Sequence, residues 1–205
     1  MAAEALGTSL TESYGYVTSC GSTEGILWGL YLARRHFKAL YGINPVIYYS
    51  DQAHYAVAKC LDIMQADGVS VRTHDNGMMD LKALEVALEA NKEASRAHGA
   101  ACRPAVVFAN LGSTFLGAVD DVSAIKALLT RLCPDQHFIF GDGALLGLLL
   151  PFAGVDQGKA VRCDFTTGLD AVAMSGHKLL GSPQPCSIVL MRRSFMPPPE
   201  HKVLL

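Results

Sequence analysis

Ala171-Val172-Ala173-Met174-Ser175-Gly176-His177-Lys178, leading into the turn Leu179 to Pro183, is the stretch from which the fold can be read. A short apolar run closed by serine and glycine has the length and punctuation of a buried strand rather than a helix. The lysine then falls just past the strand's carboxyl end. Lysine is ordinarily a solvated surface charge, and taken singly that is the better reading. Its neighbours change the odds. Ser175 and Gly176 leave room for a phosphate or a flat ring, and a partly desolvated lysine loses its proton more readily, which frees its amine to attack an aldehyde.

The same strand-then-turn pattern recurs along the chain. Val46 to Tyr49, Val69 to Thr73, Ala105 to Ala109, Phe138 to Phe140 and Ser187 to Met191 are short β-branched or aromatic runs, with a first strand-like element at Tyr16 to Thr18. Between them, Thr23 to Leu40, Tyr55 to Gln65, Leu81 to His98 and Val122 to Leu132 carry apolar residues at helical spacing. Alternation of this kind predicts an α/β fold, a mostly parallel sheet with crossover helices. In such sheets ligands collect at the carboxyl edge of the strands, so the loops after the strands are where chemistry is expected.

Composition narrows the function. The chain has 205 residues, half of them apolar and 18% charged, which suits one well-cored domain and argues against disorder. Its 17 basic and 19 acidic residues form no long single-sign run, so neither a nucleic acid nor an anionic membrane is an expected partner. The greasy stretch Ala144 to Phe152 is broken by Gly147 and Pro151 and is too short to span a bilayer. Met1 to Leu10 lacks the basic cluster and apolar run of a secretory signal, so a cytoplasmic setting is expected. Six well-separated cysteines without a Cys-x-x-Cys pair fit neither a disulfide framework nor a zinc site and are expected to be buried thiols. No metal is implied. Pro197-Pro198-Pro199 reads as a linker or the start of a further region.

Four more segments come after strands. Phe140-Gly141-Asp142-Gly143-Ala144 sets a carboxylate at a strand end with little bulk around it; Asp142 could cap a helix, or it could hold a protonated ring nitrogen opposite Lys178. Gly21-Ser22-Thr23-Glu24-Gly25 opens a helix, where unpaired N–H groups and two hydroxyls favour a phosphate, although Ser or Thr followed by Glu is also an ordinary capping arrangement. His54, after Val46 to Tyr49, is placed to stack on a heterocycle or to move protons. Thr114, in Asn110-Leu111-Gly112-Ser113-Thr114, could bond a ring substituent, with turn formation as the plain alternative. No Gly-x-Ser-x-Gly or Walker pattern is present.

Gly15-Tyr16-Val17-Thr18 with Thr23-Glu24-Gly25, then His54-Tyr55, Gly117-Ala118-Val119-Asp120-Asp121, Asp142-Gly143-Ala144-Leu145 and Ser175-Gly176-His177-Lys178 resemble, in order and spacing, the group II pyridoxal-phosphate-dependent amino-acid decarboxylases, and more narrowly the histidine and serine decarboxylase branch. The resemblance implies the transferase-like fold (fold type I) of pyridoxal-phosphate enzymes. Residues 1–205 would be the cofactor-binding core of its large domain, a piece of a longer chain whose N-terminal segment and C-terminal small domain are absent. It implies pyridoxal 5'-phosphate as cofactor, an amino-acid substrate that loses carbon dioxide, and a homodimer in the full-length form. It further implies that Lys178 carries the cofactor as a Schiff base, that Asp142 partners the ring nitrogen and that His54 stacks on the ring. Ser22, Thr23, Ser175 and His177 would hold the phosphate, and Thr114 and Ala144 would position the ring. An aminotransferase or another lyase would share the lysine and aspartate, and a non-catalytic remnant that binds cofactor or a partner subunit is the rival from another class.

Overall fold

The computed structural model describes residues 2–152 and 163–196; the proline run 197–199 lies outside them. In chain order the elements are α1 (Ala2–Ala5), β1 (Ser13–Thr18), α2 (Ser22–Tyr41), β2 (Val46–Ser50), α3 (Ala56–Met64), β3 (Gly68–Val71), α4 (Leu81–Ala97), β4 (Ala105–Asn110), α5 (Val122–Leu132), β5 (His137–Asp142), β6 (Ala171–Ser175) and β7 (Ser187–Arg192). Each strand and helix expected from the sequence is present, with ends shifted by a few residues. The run Val69 to Thr73 is shorter as a strand: it stops at Val71, and Thr73 makes an isolated bridge with Met79.

The strands form one sheet in the order β1-β7-β6-β5-β4-β2-β3. Neighbours from β6 to β3 are parallel, whereas β7 runs antiparallel to both β6 and β1. Among the described strands, then, only β7 is reversed. The cause is the link from β6 to β7, which contains no helix; without a crossover element the chain returns beside β6 in the opposite sense. Every residue of β4 and of β6 is buried, as expected for strands covered on both faces, while β1 and β3, at the two edges, are partly exposed.

Alternate residues of each strand feed two cores. Ile47, Val106, Phe108, Phe138, Phe140 and Ala173 pack under α2 and α3. Val46, Tyr48, Val107, Ile139, Val172 and Met174 pack under α4 and α5 on the other face. The helix α2 sits close to the sheet because Gly25 and Gly29 face it: a Cβ on Gly25 would lie 2.8 Å from Val189 Cγ2, and one on Gly29 would run into the Phe140 ring. Both α4 and α5 begin on a capping carboxylate, Asp80 accepting from Lys82 and Ala83 N–H and Asp121 from Ala124 N–H. No helix among the described residues is long and apolar enough to cross a membrane. The cysteines correct one expectation: Cys60, Cys133 and Cys163 are buried, but Cys20 is exposed and Cys102 and Cys186 are half-buried.

The fold also lines up polar residues. Thr18, Ser50, Asn110, Asp142 and Ser175 end β1, β2, β4, β5 and β6, and Ser187 begins the reversed β7, so all six lie along one edge of the sheet, and all six are buried. Such a row inside a hydrophobic molecule is costly unless it is bonded or meets a ligand.

Candidate active site

A cavity of about 310 Å3 opens at this edge. All nine residues singled out from the sequence line it: Lys178, Asp142 and His54, the pairs Ser22 and Thr23, Ser175 and His177, and Thr114 and Ala144. Separate loops deliver them, after β1, β2, β4, β5 and β6, and strand register sets their spacing. Asn110 pairs with Asp142, and Ser175 pairs with Ser187.

Asp142 caps no helix. Among the described residues its carboxylate has one hydrogen bond, from Ala144 N–H to Oδ1 at 3.1 Å, within a turn that continues without an α-helix. Burial drives its carboxyl above the usual range, opposed in turn by that N–H, by His54 and by Lys178. Both basic residues thus act on the carboxylate across the cavity. A buried carboxylate with acceptor capacity to spare is suited to a cationic N–H donor.

Ordinary capping is also absent at the start of α2. Gly21, with φ of 78°, precedes the helix, and no side chain caps it. Glu24 reaches back instead to the N–H groups of Ser19 and Cys20, at 3.1 and 2.9 Å. Ser22 Oγ lies 2.7 Å from Ser175 Oγ and donates to Ser187 Oγ at 3.4 Å, which brings hydroxyls from α2, β6 and β7 to one point. His177 packs on the loop, its Cε1 3.1 Å from where a Cβ on Gly21 would stand, and its Nδ1 faces the Cys186 backbone. An uncapped helix start beside three hydroxyls and an imidazole is an anion cradle. His54 accepts Ala56 N–H at Nδ1, 3.2 Å away, and packs against Tyr55 with ring centroids 4.2 Å apart.

One expectation needs correction. Lys178 is exposed, not desolvated, although it lines the cavity. The same loops carry large apolar residues in water: Tyr55 next to His54 in the chain, Phe115 and Leu116 after Thr114, Leu179 and Leu180 after Lys178, and Leu149 and Phe152 beyond Ala144. Asn110, Ser113, Cys20 and Leu145 also line the cavity and were not selected from the sequence. Asn110 and Ser113 stood in a quoted segment, but a turn explains such residues equally well; only strand register sets Asn110 beside Asp142.

The profile of the pyridoxal-dependent decarboxylase conserved domain matches residues 15–200. The chain belongs to the pyridoxal-dependent decarboxylase family. Its cofactor is the one expected, pyridoxal phosphate, and the donor set of the cavity fits it: hydroxyls and an imidazole at an uncapped helix start that could take a phosphate, a buried carboxylate that could accept from a ring nitrogen, and an amine. Among curated members of the family, the histidine decarboxylase of Acinetobacter baumannii strain AYE is 37% identical over 193 residues, covering 93% of this chain and 45% of the relative. That of Pseudomonas entomophila strain L48 is 35% identical over 193 residues, covering 93% and 43%. The chain thus spans less than half the length of these relatives. In fold it is similar to a variant of the L-methionine decarboxylase of Streptomyces sp. 590, with a TM-score of 0.80, 22% identity, and coverage of 96% of this chain and 56% of that one. These likenesses agree with the expected α/β architecture of pyridoxal-phosphate enzymes of fold type I.

Proposed function

We propose that this chain is the cofactor-binding core of an amino-acid decarboxylase that converts an L-amino acid into its amine and carbon dioxide. The observation that carries the reading is the meeting of Lys178, Asp142 and His54 in one cavity with a phosphate cradle. Family membership supports it. The curated relatives are histidine decarboxylases, which puts L-histidine first among substrates and L-serine second.

Pyridoxal phosphate, when bound, supplies an electron sink that accepts the electron pair left behind as the carboxylate departs. The protein's part is binding, orientation and charge. Lys178 supplies the amine that holds the aldehyde end, and its exposure leaves room for an incoming amino group. Asp142, buried and without a cationic partner in contact among the described residues, would keep the ring nitrogen protonated. His54, whose Nδ1 accepts from Ala56 N–H, would stack on the ring. Ser22, Thr23, Ser175 and His177 hold the phosphate, and Thr114 and Ala144 position the ring.

Exposed apolar side chains support a second part of the proposal. Tyr55, Phe115, Leu116, Leu179 and Leu180 stand in water on loops that also supply cavity residues, which fits a face covered by a second copy, a homodimer in the full-length form. The cytoplasm is the proposed compartment, supported by six unpaired thiols. The rival reading is a core that binds cofactor or a partner subunit without turning over.

Titration with pyridoxal phosphate, together with assay of carbon dioxide release from L-histidine and L-serine, tests these readings. Bound-cofactor absorbance that Lys178→Ala abolishes, with release of carbon dioxide and the matching amine, is the expected result. A bound spectrum without carbon dioxide leaves the non-catalytic reading standing; a keto-acid product points to an aminotransferase; no cofactor spectrum overturns the proposal.

A further inference from the structure

Asp120 stands behind the cavity wall rather than in it. Leu111 and Val119 pair in an antiparallel bridge, so the chain between them forms a closed loop that presents Ser113 and Thr114 to the cavity. Asp120 ties the base of that loop. Its N–H donates to Asn110 O at 2.9 Å, its Oδ2 accepts Asn110 N–H at 2.7 Å, and its Oδ1 accepts Met79 N–H at 2.7 Å. Both backbone groups of Asn110 are therefore held by one residue. The Asn110 side chain donates through Nδ2 to Ser50 Oγ at 2.8 Å, which reaches the end of β2, just before the loop that carries His54. In register Asn110 lies beside Asp142.

Helix capping does not explain this carboxylate, since Asp121 caps α5. Nor is it paired: Asp120 is 1% exposed, and no cation among the described residues offsets its burial. The groups that face it are acidic or neutral. Cys163 Sγ donates to its backbone oxygen at 3.8 Å, with Asp121 and Asp164 beyond, and Asp80 next to Met79 is occupied by the start of α4 and by Arg72. An unpaired buried charge kept on two backbone N–H groups, directly behind an active-site strand end, is expensive for a residue with only a packing role.

We propose that Asp120 is a positioning residue of the cofactor site: its two side-chain oxygens fix Asn110 and the Ser113–Thr114 loop against Ser50 and Asp142. This rests on the reading of the cavity as a cofactor site. A carboxylate accepts both N–H bonds strongly, whereas the amide of an asparagine accepts through its one oxygen only. Burial pushes Asp120 up to about 6 against the pull of the two N–H groups.

Hydrogen exchange at Met79 and Asn110, measured on the whole chain without cofactor and corrected for intrinsic rates, tests the clamp. Protection should be about tenfold weaker in Asp120→Asn than in the wild type. Titration with pyridoxal phosphate then tests the positioning: Asp120→Asn should bind about tenfold more weakly, with its bound-cofactor absorbance shifted. Ser50→Ala, which frees the Asn110 side chain at its far end, should weaken cofactor binding as well, and it decides the matter if Asp120→Asn does not fold. Protection in folded Asp120→Asn equal to that of the wild type, or cofactor binding unaltered in the folded variants, overturns the proposal. A clamp that Asp120→Asn loosens in a chain that binds no pyridoxal phosphate supports the hold on Asn110 and sinks the cofactor reading instead.

Discussion

The two ends of β5 each meet a buried carboxylate, and the fold treats the two differently. Near its start, Asp170 accepts Ile139 N–H through Oδ2 at 2.9 Å and pairs through Oδ1 with Arg192 Nε at 3.3 Å, while Lys126 and His137 add favourable charge nearby. At its other end Asp142 has a single N–H from Ala144 and faces a cavity. Burial raises both carboxyls. The difference lies in what has been provided: Asp170 is already satisfied by the fold, and Asp142 is left with capacity for something that is not part of it. A buried polar group that the fold does not complete is where binding energy and catalysis can be drawn.

Exchanging the two behaviours is the sharpest test. Asp142→Asn should lower decarboxylation by about a thousandfold, comparable with losing a key electrostatic group in other active sites, while thermal unfolding of the cofactor-free chain shows no loss of stability. Asp170→Ala should do the reverse: about 2 kcal/mol of stability lost in urea unfolding, chiefly because Ile139 N–H is left buried without an acceptor, with cofactor affinity unchanged. If Asp142→Asn unfolds the chain, or Asp170→Ala empties the site, the contrast between the two ends is wrong.

The same two groups, together with Asp120, give stability a pH dependence. Each carboxyl has a folded pKa above its unfolded value, so the folded state takes up protons more readily. The unliganded chain should therefore lose stability as pH rises from the ordinary carboxylate range through the elevated folded values, and keep it below. Added pyridoxal phosphate should flatten the part due to Asp142, by giving its charge a partner, and leave the part due to Asp170. Denaturant midpoints across pH, with and without cofactor, check the sign.

Smaller effects belong to the outskirts of each end. Ser175→Ala removes one hydroxyl of the phosphate cradle and should weaken cofactor binding by about 1 kcal/mol in a titration, with unfolding little changed. Asp121→Ala, which removes the cap of α5 on the same side of the sheet, should cost about 1 kcal/mol of stability and leave affinity as it was.

The sequence by itself determined the elements and the chemistry-bearing loops. Period and punctuation place β4, β5 and β6 to within a residue or two, because strands buried on both faces must be apolar throughout and must stop at polar turns. The order of motifs from Thr23-Glu24-Gly25 to Ser175-Gly176-His177-Lys178 carried the family and its cofactor. Tertiary structure alone decided the rest, since it depends on contacts between segments far apart in the chain. The reversal of β7, which brings Ser187 to Ser22 and Ser175, cannot be read from any local window. Whether Asp142 caps a helix or faces a cavity turned on the path the chain takes beyond Ala144. Lys178 proved exposed because desolvation belongs to the surroundings of a residue, and Asp120 was visible as a motif letter but acquired a purpose only when its two oxygens met N–H groups from β4 and from the loop after β3. Local pattern fixes what a segment can be; the long-range packing of those segments fixes which polar groups are left for a ligand.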